Sequence, residues 1–396
     1  MIAHSPKPPH CPVVLQTGFR IFFLGAAVYA VVSMAIWFLF YVAGGNIFVA
    51  MPLTVWHGHE MVFGFTMAVI AGFLLTAVMN WTGKPTLSGT PLLLLFSLWA
   101  AARILAFMPA SFPSWALAIC NLAFMTFLVI AGMRPIIAVK QWKQSAVFSK
   151  VVLIFISGVV FYSALFHADL VTERKALRFA VYMIISLIFT IGRRILPFFI
   201  ERGVGYPVVL RNSMVLDMTS LVFLVVFSVL DILWPQPAVI VFLCASLAAI
   251  HSLRLAGWYT PGIWKKPLLW VLFIGYLFLI LGFILKVFTV LGQRPDDAAI
   301  HAWTAGGIGV FILGMMARVS WGHTGRNIAE PPRWITPMFM TIIASAVFRV
   351  FLPVIYEPYY IMWVAISQLL WVIAFGLFLL VYFNVLVSPR PDGREG

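Results

Sequence analysis

Long apolar runs recur along this sequence and constrain its fold more than any other feature. Most are about 18–25 residues long, the length that a helix needs to cross the roughly 30 Å of hydrocarbon in a bilayer. Since lipid offers no partner to a free peptide group, such runs fold as helices that satisfy their own backbone. The sequence therefore predicts an all-α polytopic membrane protein with about twelve transmembrane helices. The predicted spans are residues 19–43, 54–79, 91–108, 114–133, 147–167, 175–198, 213–233, 236–256, 267–290, 297–320, 335–354 and 359–387.

The composition agrees with a membrane protein and excludes several other classes. Hydrophobic residues make up 63% of the 396-residue chain and charged residues only 10%, whereas soluble domains are about half apolar. The net charge of +14 does not indicate nucleic-acid binding, because the basic residues lie almost entirely in short loops between apolar runs. The three cysteines form no CxxC or CxxCH motif, which argues against a disulfide framework, a thiolate zinc site and covalent c-type haem.

The distribution of Lys and Arg among the loops predicts the topology. Alternate loops hold most of the basic residues. The opposite set of loops holds only Arg174, Lys175, Arg178 and Arg294. Because strongly basic loops stay in the cytoplasm, both termini are predicted to be cytoplasmic. We predict a Pro-rich cytoplasmic tail at 1–18, a single twelve-helix membrane domain at 19–387 and a second cytoplasmic tail at 388–396.

The segment "WHGHEM" places three ionisable side chains within four positions of a predicted membrane helix. Such groups are costly beside hydrocarbon and are functional candidates by default. His57 and His59 fall at the outer end of the second span, and His167 and His301 fall at the outer ends of the fifth and tenth. Neutral imidazole is the usual axial ligand of a membrane b-type haem and also binds copper. We interpret these histidines as candidate metal ligands, with Glu60 orienting an imidazole through its ring N–H.

Three cations fall inside predicted spans rather than in loops. Arg103, Lys286 and Arg349 lie in the third, ninth and eleventh spans, and the predicted topology puts all three in the outer third of the membrane. That depth matches the depth of the outer histidines, so these cations are candidate partners of haem propionates, which need positive charge when desolvated. The alternative is that their long side chains snorkel to the outer headgroups.

A second group of candidates lies at the inner face. His301 and His323 are separated by 22 residues, about 33 Å along a helix, so they mark opposite faces of the membrane. His323 is a candidate ligand of a second, inner haem together with His251. Four arginines predicted at the same face are candidate partners of its propionates, and the alternative is that they anchor the chain to anionic lipid. These arginines are Arg193, Arg194, Arg318 and Arg326.

Three segments closely resemble the signatures of the NnrS family, and the resemblance extends over nearly the whole chain. The segments are "WHGHEMVFGFTMAVIAGFLLTAVMNWTGKP" (56–85), "GRRILPFF" (192–199) and "HAWTAGGIGVFILGMMARVSWGHTGR" (301–326). Members of this family are haem- and copper-containing membrane proteins of bacteria that encounter nitric oxide. The residues that match the family's motifs are His57, His59, Glu60, Asn80, Trp81, Gly83, Gly192, Arg193, Arg194, Pro197, His301, Arg318, His323, Gly325 and Arg326.

The resemblance implies a multi-pass protein of the bacterial inner membrane that binds haem b and copper and acts in the response to nitric oxide and nitrosative stress. The partners it implies are the lipid bilayer, nitric oxide or a related small ligand, and a candidate redox partner. We assign His57 and His301 as axial ligands of an outer haem. His59, with His167, then holds copper or leaves an open position for a diatomic ligand.

Two other functions stay open, as does the question of whether the protein turns over a substrate. The first is a redox enzyme like the haem-copper oxidases and nitric oxide reductases, which also use about twelve helices and several histidines. Their paired-histidine copper site has no counterpart here, because the sequence contains no adjacent His-His. The second is a transporter, with which twelve helices and intramembrane cations are compatible.

Overall fold

The computed structural model describes residues 11–42, 44, 51–109, 111–292 and 296–393. Within these residues the regular structure is helical, and twelve helices of 16 residues or more follow one another along the chain. They are α1 Gly18–Tyr41, α2 Leu53–Thr82, α3 Thr90–Leu105, α4 Ser114–Ala138, α5 Ser145–Phe166, α6 Leu170–Gly203, α7 Met214–Leu233, α8 Pro237–Gly257, α9 Pro267–Val290, α10 Asp297–His323, α11 Ile335–Val350 and α12 Tyr360–Val387.

These helices confirm the predicted fold class. In the described part of the chain, eleven helical segments are long and apolar enough to cross a bilayer, and α3 is a shorter apolar helix of 16 residues. Each predicted span coincides with one helix to within about five residues at either end, as expected when hydropathy alone decides the location of a span. The protein is an all-α polytopic membrane protein. The side of the membrane on which each loop lies stays a prediction.

Two of the helices, α2 and α10, contain a stretch of π-helix. The first is Glu60–Thr66 and begins directly after His59, and the second is Ala302–Gly309 and begins directly after His301. The wider π turn rotates the side chains that follow it, so spacing rules for a regular helix fail across it. Such turns are rare and are often found at functional sites. Both stretches follow histidines that the sequence indicates as ligands.

The contacts between helices group the chain into two compact units. Unit 1 comprises Met1–Ala180, Met316–Ile328 and Phe375–Gly396, and unit 2 comprises Val181–Met315 and Ala329–Ala374. Each unit contains one of the two π-helical stretches. The single membrane domain predicted at 19–387 stays a prediction.

In unit 1, the start of the first helix is bonded to the end of the last. The side chain of Arg20 on α1 is fully buried, and its Nη1 lies 3.3, 2.8 and 3.0 Å from the carbonyl oxygens of Val385, Leu386 and Ser388. The last carbonyls of a helix have no hydrogen-bond donor within that helix, and a guanidinium can supply the missing N–H groups. Arg20 therefore caps the C-terminus of α12.

Candidate functional site

The carboxylate of Glu60 is the centre of a buried polar network in unit 1. Its Oε1 lies 2.5 Å from Nδ1 of His59, and its Oε2 accepts hydrogen bonds from the Tyr29 hydroxyl and the Arg103 guanidinium. Glu60 and His59 are 0% exposed and Arg103 is 4% exposed. The negative charge of the carboxylate is thus balanced by a cation in direct contact, which is the condition for keeping it buried.

The network closes on itself through two further side chains. Nη2 of Arg103 donates to the amide oxygen of Asn121 at 2.6 Å, and the amide nitrogen of Asn121 donates to the Tyr162 hydroxyl. That hydroxyl lies 2.7 Å from Nε2 of His59. We call this set the Glu60 network. Its members, one or two from each of α1 to α5, are Tyr29, His59, Glu60, Arg103, Asn121 and Tyr162.

The donors in this network determine the protonation of His59. Arg103 can only donate, so Asn121 presents its oxygen to Arg103 and its amide hydrogens to Tyr162. The Tyr162 hydroxyl then donates to Nε2 of His59, while Nδ1 carries the ring proton and donates it to Glu60. His59 is therefore a neutral imidazole with a basic Nε2, held in place by a carboxylate. Metal-bound histidines are usually oriented in this way.

A glycine one turn after Glu60 makes room for the network. A Cβ on Gly64 would lie 2.6 Å from Nη1 of Arg103 and 3.1 Å from Oε2 of Glu60. Trp99 fixes the same turn, because its indole nitrogen donates to the carbonyl of Gly64 at 2.9 Å. The space beside Gly64 is filled by protein, and a Cβ on Gly309 of unit 2 would likewise lie 2.6 Å from the Trp371 ring. Both glycines therefore allow close packing of neighbouring side chains.

The three intramembrane cations predicted from the sequence each contact a carboxylate. Arg103 pairs with Glu60 as described, Nζ of Lys286 lies 3.0 Å from Oδ1 of Asp231, and Nη2 of Arg349 lies 2.6 Å from Oδ2 of Asp297. A tyrosine hydroxyl donates to each of these carboxylates. The three sets are Glu60–Arg103–Tyr29, Asp231–Lys286–Tyr182 and Asp297–Arg349–Tyr360. A role for the cations toward propionates stays a prediction.

His301 belongs to the Asp297 set of unit 2. Its Nδ1 lies 2.8 Å from the backbone carbonyl of Asp297 and 3.1 Å from the Asp297 carboxylate Oδ1. This arrangement again orients an imidazole through Nδ1 and directs Nε2 away from the carboxylate. Both units thus contain a histidine that is held by the carboxylate of an Arg-paired acidic residue and that directly precedes a π-helical stretch.

The other outer histidines lie outside these two sets. The ring of His57 stacks on Trp37 with centroids 4.6 Å apart and an interplanar angle of 10°. His167 is exposed, and its Nδ1 lies 2.7 Å from the carbonyl of Ser163. The structure therefore brings Glu60 against His59 rather than against His57 or His167. The assignment of all four outer histidines as ligands stays a prediction.

At the end of unit 2 that is predicted to be inner, Asp217 joins two arginines. Its carboxylate accepts from Nη1 of Arg193 at 2.9 Å and from Nη2 of Arg254 at 2.8 Å. Nη1 of Arg254 lies 3.1 Å from Nδ1 of His251, which also lies 2.7 Å from the Tyr276 hydroxyl. Since both neighbours donate to Nδ1, the proton of neutral His251 resides on Nε2. The role of His251 at an inner haem stays a prediction.

The remaining inner candidates lie in different surroundings. His323 packs against the ring of Phe19, and its backbone carbonyl accepts a hydrogen bond from Arg390 at 3.0 Å. The guanidinium of Arg326 lies 5.5 Å from the centre of the Trp321 ring. Arg194 is half-buried and Arg318 is buried. Their predicted role at an inner haem stays a prediction.

Several functional candidates were missed by sequence reasoning. Asn121 and Asp231 carry a readable signal, since each is a polar residue inside an apolar run. Tyr29 and Tyr162 carry none, because tyrosine is common in membrane helices for its ring alone. Within the described ranges, no three His, Cys, Asp or Glu side chains converge in a way that would hold a metal ion.

Comparison with known proteins places these residues in a family. The family described as NnrS protein matches residues 13–390, a range that includes the Glu60 network, the Asp297 set and the inner arginines. No curated protein shows significant similarity to the chain. Since the match extends over nearly all of the 396 residues, the chain belongs to the NnrS family.

Proposed function

We propose that this member of the NnrS family is a haem- and copper-binding protein of the bacterial inner membrane that acts in the response to nitric oxide and nitrosative stress. The observation that carries the proposal is the state of His59. This buried imidazole holds its proton on Nδ1 against Glu60 and keeps a basic Nε2, as a metal ligand requires. Family membership supports the same conclusion independently.

The residues present fit an imidazole-bound haem. A haem needs only one or two histidine ligands, and His301, one of the two proposed, is oriented through Nδ1 by a carboxylate. His57 and His301 would be the residues that hold haem, and His59, with His167, would hold copper. A ferrous haem supplies, when bound, an iron centre with affinity for nitric oxide. The protein's own part is to set the tautomer of each imidazole and to keep water away from Glu60.

Spectroscopy of the purified protein tests the proposal directly. We expect a b-type haem absorbance spectrum and copper in metal analysis of the wild type. His57→Ala and His301→Ala should each lose or shift the haem bands, and His59→Ala should lose copper with the haem retained. His10→Ala is the matched control, because His10 precedes the family match, and it should change neither. Absence of both cofactors from the wild type would refute the proposal, and unchanged haem in both ligand variants would refute the assigned ligands.

A transporter is the second candidate, and the buried ion pairs are the observation that favours it. Charged pairs inside the membrane are typical of ion and substrate pathways, and Glu60–Arg103 and Asp231–Lys286 are both almost fully buried. Accumulation of a solute in vesicles by protein that contains no haem would favour this function. Consumption of nitric oxide with an added electron donor would instead favour a redox enzyme.

A further inference from the structure

A groove on the outside of unit 1 has no part in the Glu60 network. It has a volume of about 750 Å³ and lies between α3, α4 and the loop that precedes α3. We propose that this groove binds one anionic phospholipid, with its phosphate at Lys84 and Arg134 and an acyl chain along the helices. Both cations line the groove, and the predicted topology places them on the cytoplasmic side.

The groove arises from a difference in helix length. α3 has 16 residues and spans about 24 Å, whereas its antiparallel neighbour α4 has 25 residues and spans about 37 Å. On the side of the groove, the last turns of α4, residues 131–138, therefore face the loop at 84–87. A loop packs less closely against a helix than a second helix does, and a lipid-sized space remains.

The walls of the groove suit an acyl chain. Apart from its two cations and Thr86, the lining is apolar. Leu94, Phe127 and Ile130 line it and are 62%, 53% and 55% exposed. Thr86 uses its hydroxyl internally, since Oγ1 donates to the carbonyl of Leu75 at 2.7 Å. Among the described residues that line the groove, Lys84 and Arg134 are the side chains that remain to bind an anion.

The positive charge at the groove favours an anionic ligand. The sequence contains no acidic residue between Glu60 and Asp169, so neither Lys84 nor Arg134 has a carboxylate nearby in the chain. Within the described residues neither side chain forms an ion pair. Basic pockets at the cytoplasmic ends of membrane helices bind anionic headgroups.

A phospholipid fits the groove better than the other amphipathic molecule this protein is proposed to bind. Haem also combines an apolar body with anionic groups, but it needs an axial ligand from the protein. No histidine, cysteine or methionine lines the groove. A zwitterionic lipid such as phosphatidylcholine adds no net negative charge to offset the two cations.

Native mass spectrometry of the full-length protein tests this inference. The protein is equilibrated with equal amounts of phosphatidylglycerol and phosphatidylcholine that carry identical acyl chains. The wild type should retain one phosphatidylglycerol with roughly tenfold preference over phosphatidylcholine. The double variant Lys84→Gln with Arg134→Gln should lose that preference. The control variant, Lys265→Gln with Lys266→Gln, removes two cations that lie outside the groove and are also predicted to be cytoplasmic. It should retain the preference for phosphatidylglycerol.

A second variant tests whether lipid retention depends on the space inside the groove or only on positive surface charge. Ala131→Phe fills the groove and leaves both cations in place, so it should also expel the retained lipid. If Ala131→Phe retains phosphatidylglycerol like the wild type, or if the wild type shows no preference, the inference is wrong. Loss of haem in the Lys84–Arg134 variant with lipid retention unchanged would assign the groove to the cofactor and would equally overturn it.

Discussion

At the scale of single residues, the same arrangement of a carboxylate, a cation and a tyrosine occurs three times. A carboxylate inside or at the edge of the membrane accepts from one cation and one tyrosine hydroxyl, as Glu60 does from Arg103 and Tyr29. Each set keeps its charge balanced in a medium where an unpaired charge costs several kcal/mol. The sequence predicted the cations but not their partners, because the carboxylates lie on other helices and no spacing rule relates them.

The Glu60–Arg103 pair provides the first prediction. Glu60→Gln leaves the Arg103 guanidinium buried without its anion, so we expect the free energy of unfolding to fall by roughly 3–5 kcal/mol. Combining Glu60→Gln with Arg103→Gln removes both charges and should recover a large part of that loss. Unfolding of detergent-solubilised protein, followed by tryptophan fluorescence, measures both effects.

The control for this pair is Glu330→Gln, which removes an exposed carboxylate and should change stability little. If the double variant is as unstable as the sum of the two single variants, the pair is not coupled and the network does not stabilise the fold as described.

The second prediction concerns Gly64. Gly64→Ala places a methyl group 2.6 Å from Nη1 of Arg103, so the guanidinium must move away from Glu60. We expect a loss of about 1–3 kcal/mol in the same unfolding measurement. Gly376→Ala is a matched control in a helix of the same unit, because a Cβ there meets nothing within 4 Å, and it should be neutral or slightly stabilising. Equal effects at the two positions would contradict the close packing inferred at Gly64.

At the scale of helices, the partner of Glu60 differs from the one that regular helical spacing suggests. Residues three apart, such as His57 and Glu60, lie on one face of a regular helix. The structure instead pairs Glu60 with its neighbour His59, at the start of the π-helical stretch, and leaves His57 against Trp37. The presence of α2 followed from hydropathy, but its π turn did not. Arg103 and Trp99 of another helix contact that turn, and no spacing rule within α2 reveals them.

The cap on α12 provides a prediction at this scale. Arg20→Met keeps the length of the side chain but removes the donor to three carbonyls at the end of α12. We expect the stability of the protein to fall by about 2–3 kcal/mol, and the last amides of α12 to exchange faster in hydrogen–deuterium exchange. Arg202→Met, which alters an exposed arginine on α6, should leave exchange in α12 unchanged. Unaltered protection of α12 in Arg20→Met would refute the cap.

At the scale of the whole molecule, the sequence predicted the spans well and the polar interior poorly. A span is a local property, since about 20 apolar residues suffice to place it. The Glu60 network draws side chains from five helices that are up to 133 positions apart, from Tyr29 to Tyr162. Only the adjacency of His59 and Glu60 in the chain was visible beforehand, and the structure pairs these two side chains.

The predicted topology can be tested on the intact molecule. In a background where all three cysteines are replaced by serine, we introduce Lys175→Cys or Lys265→Cys, both at exposed positions. A membrane-impermeant maleimide added to spheroplasts should label the cysteine at 175 at once, and the cysteine at 265 only after permeabilisation. The opposite pattern would invert the topology and move the proposed phospholipid to the other leaflet.

The closed ring of hydrogen bonds around His59 has a consequence for how that site is filled. Its Nε2 already has the Tyr162 hydroxyl as a partner, so the proposed copper would reach the nitrogen only after that phenol had rotated away. Asn121 then loses an acceptor as well. Insertion of a cofactor at His59 is thus expected to be slow and strongly temperature-dependent, and its rate should rise when Tyr162 is shortened to a side chain without a hydroxyl.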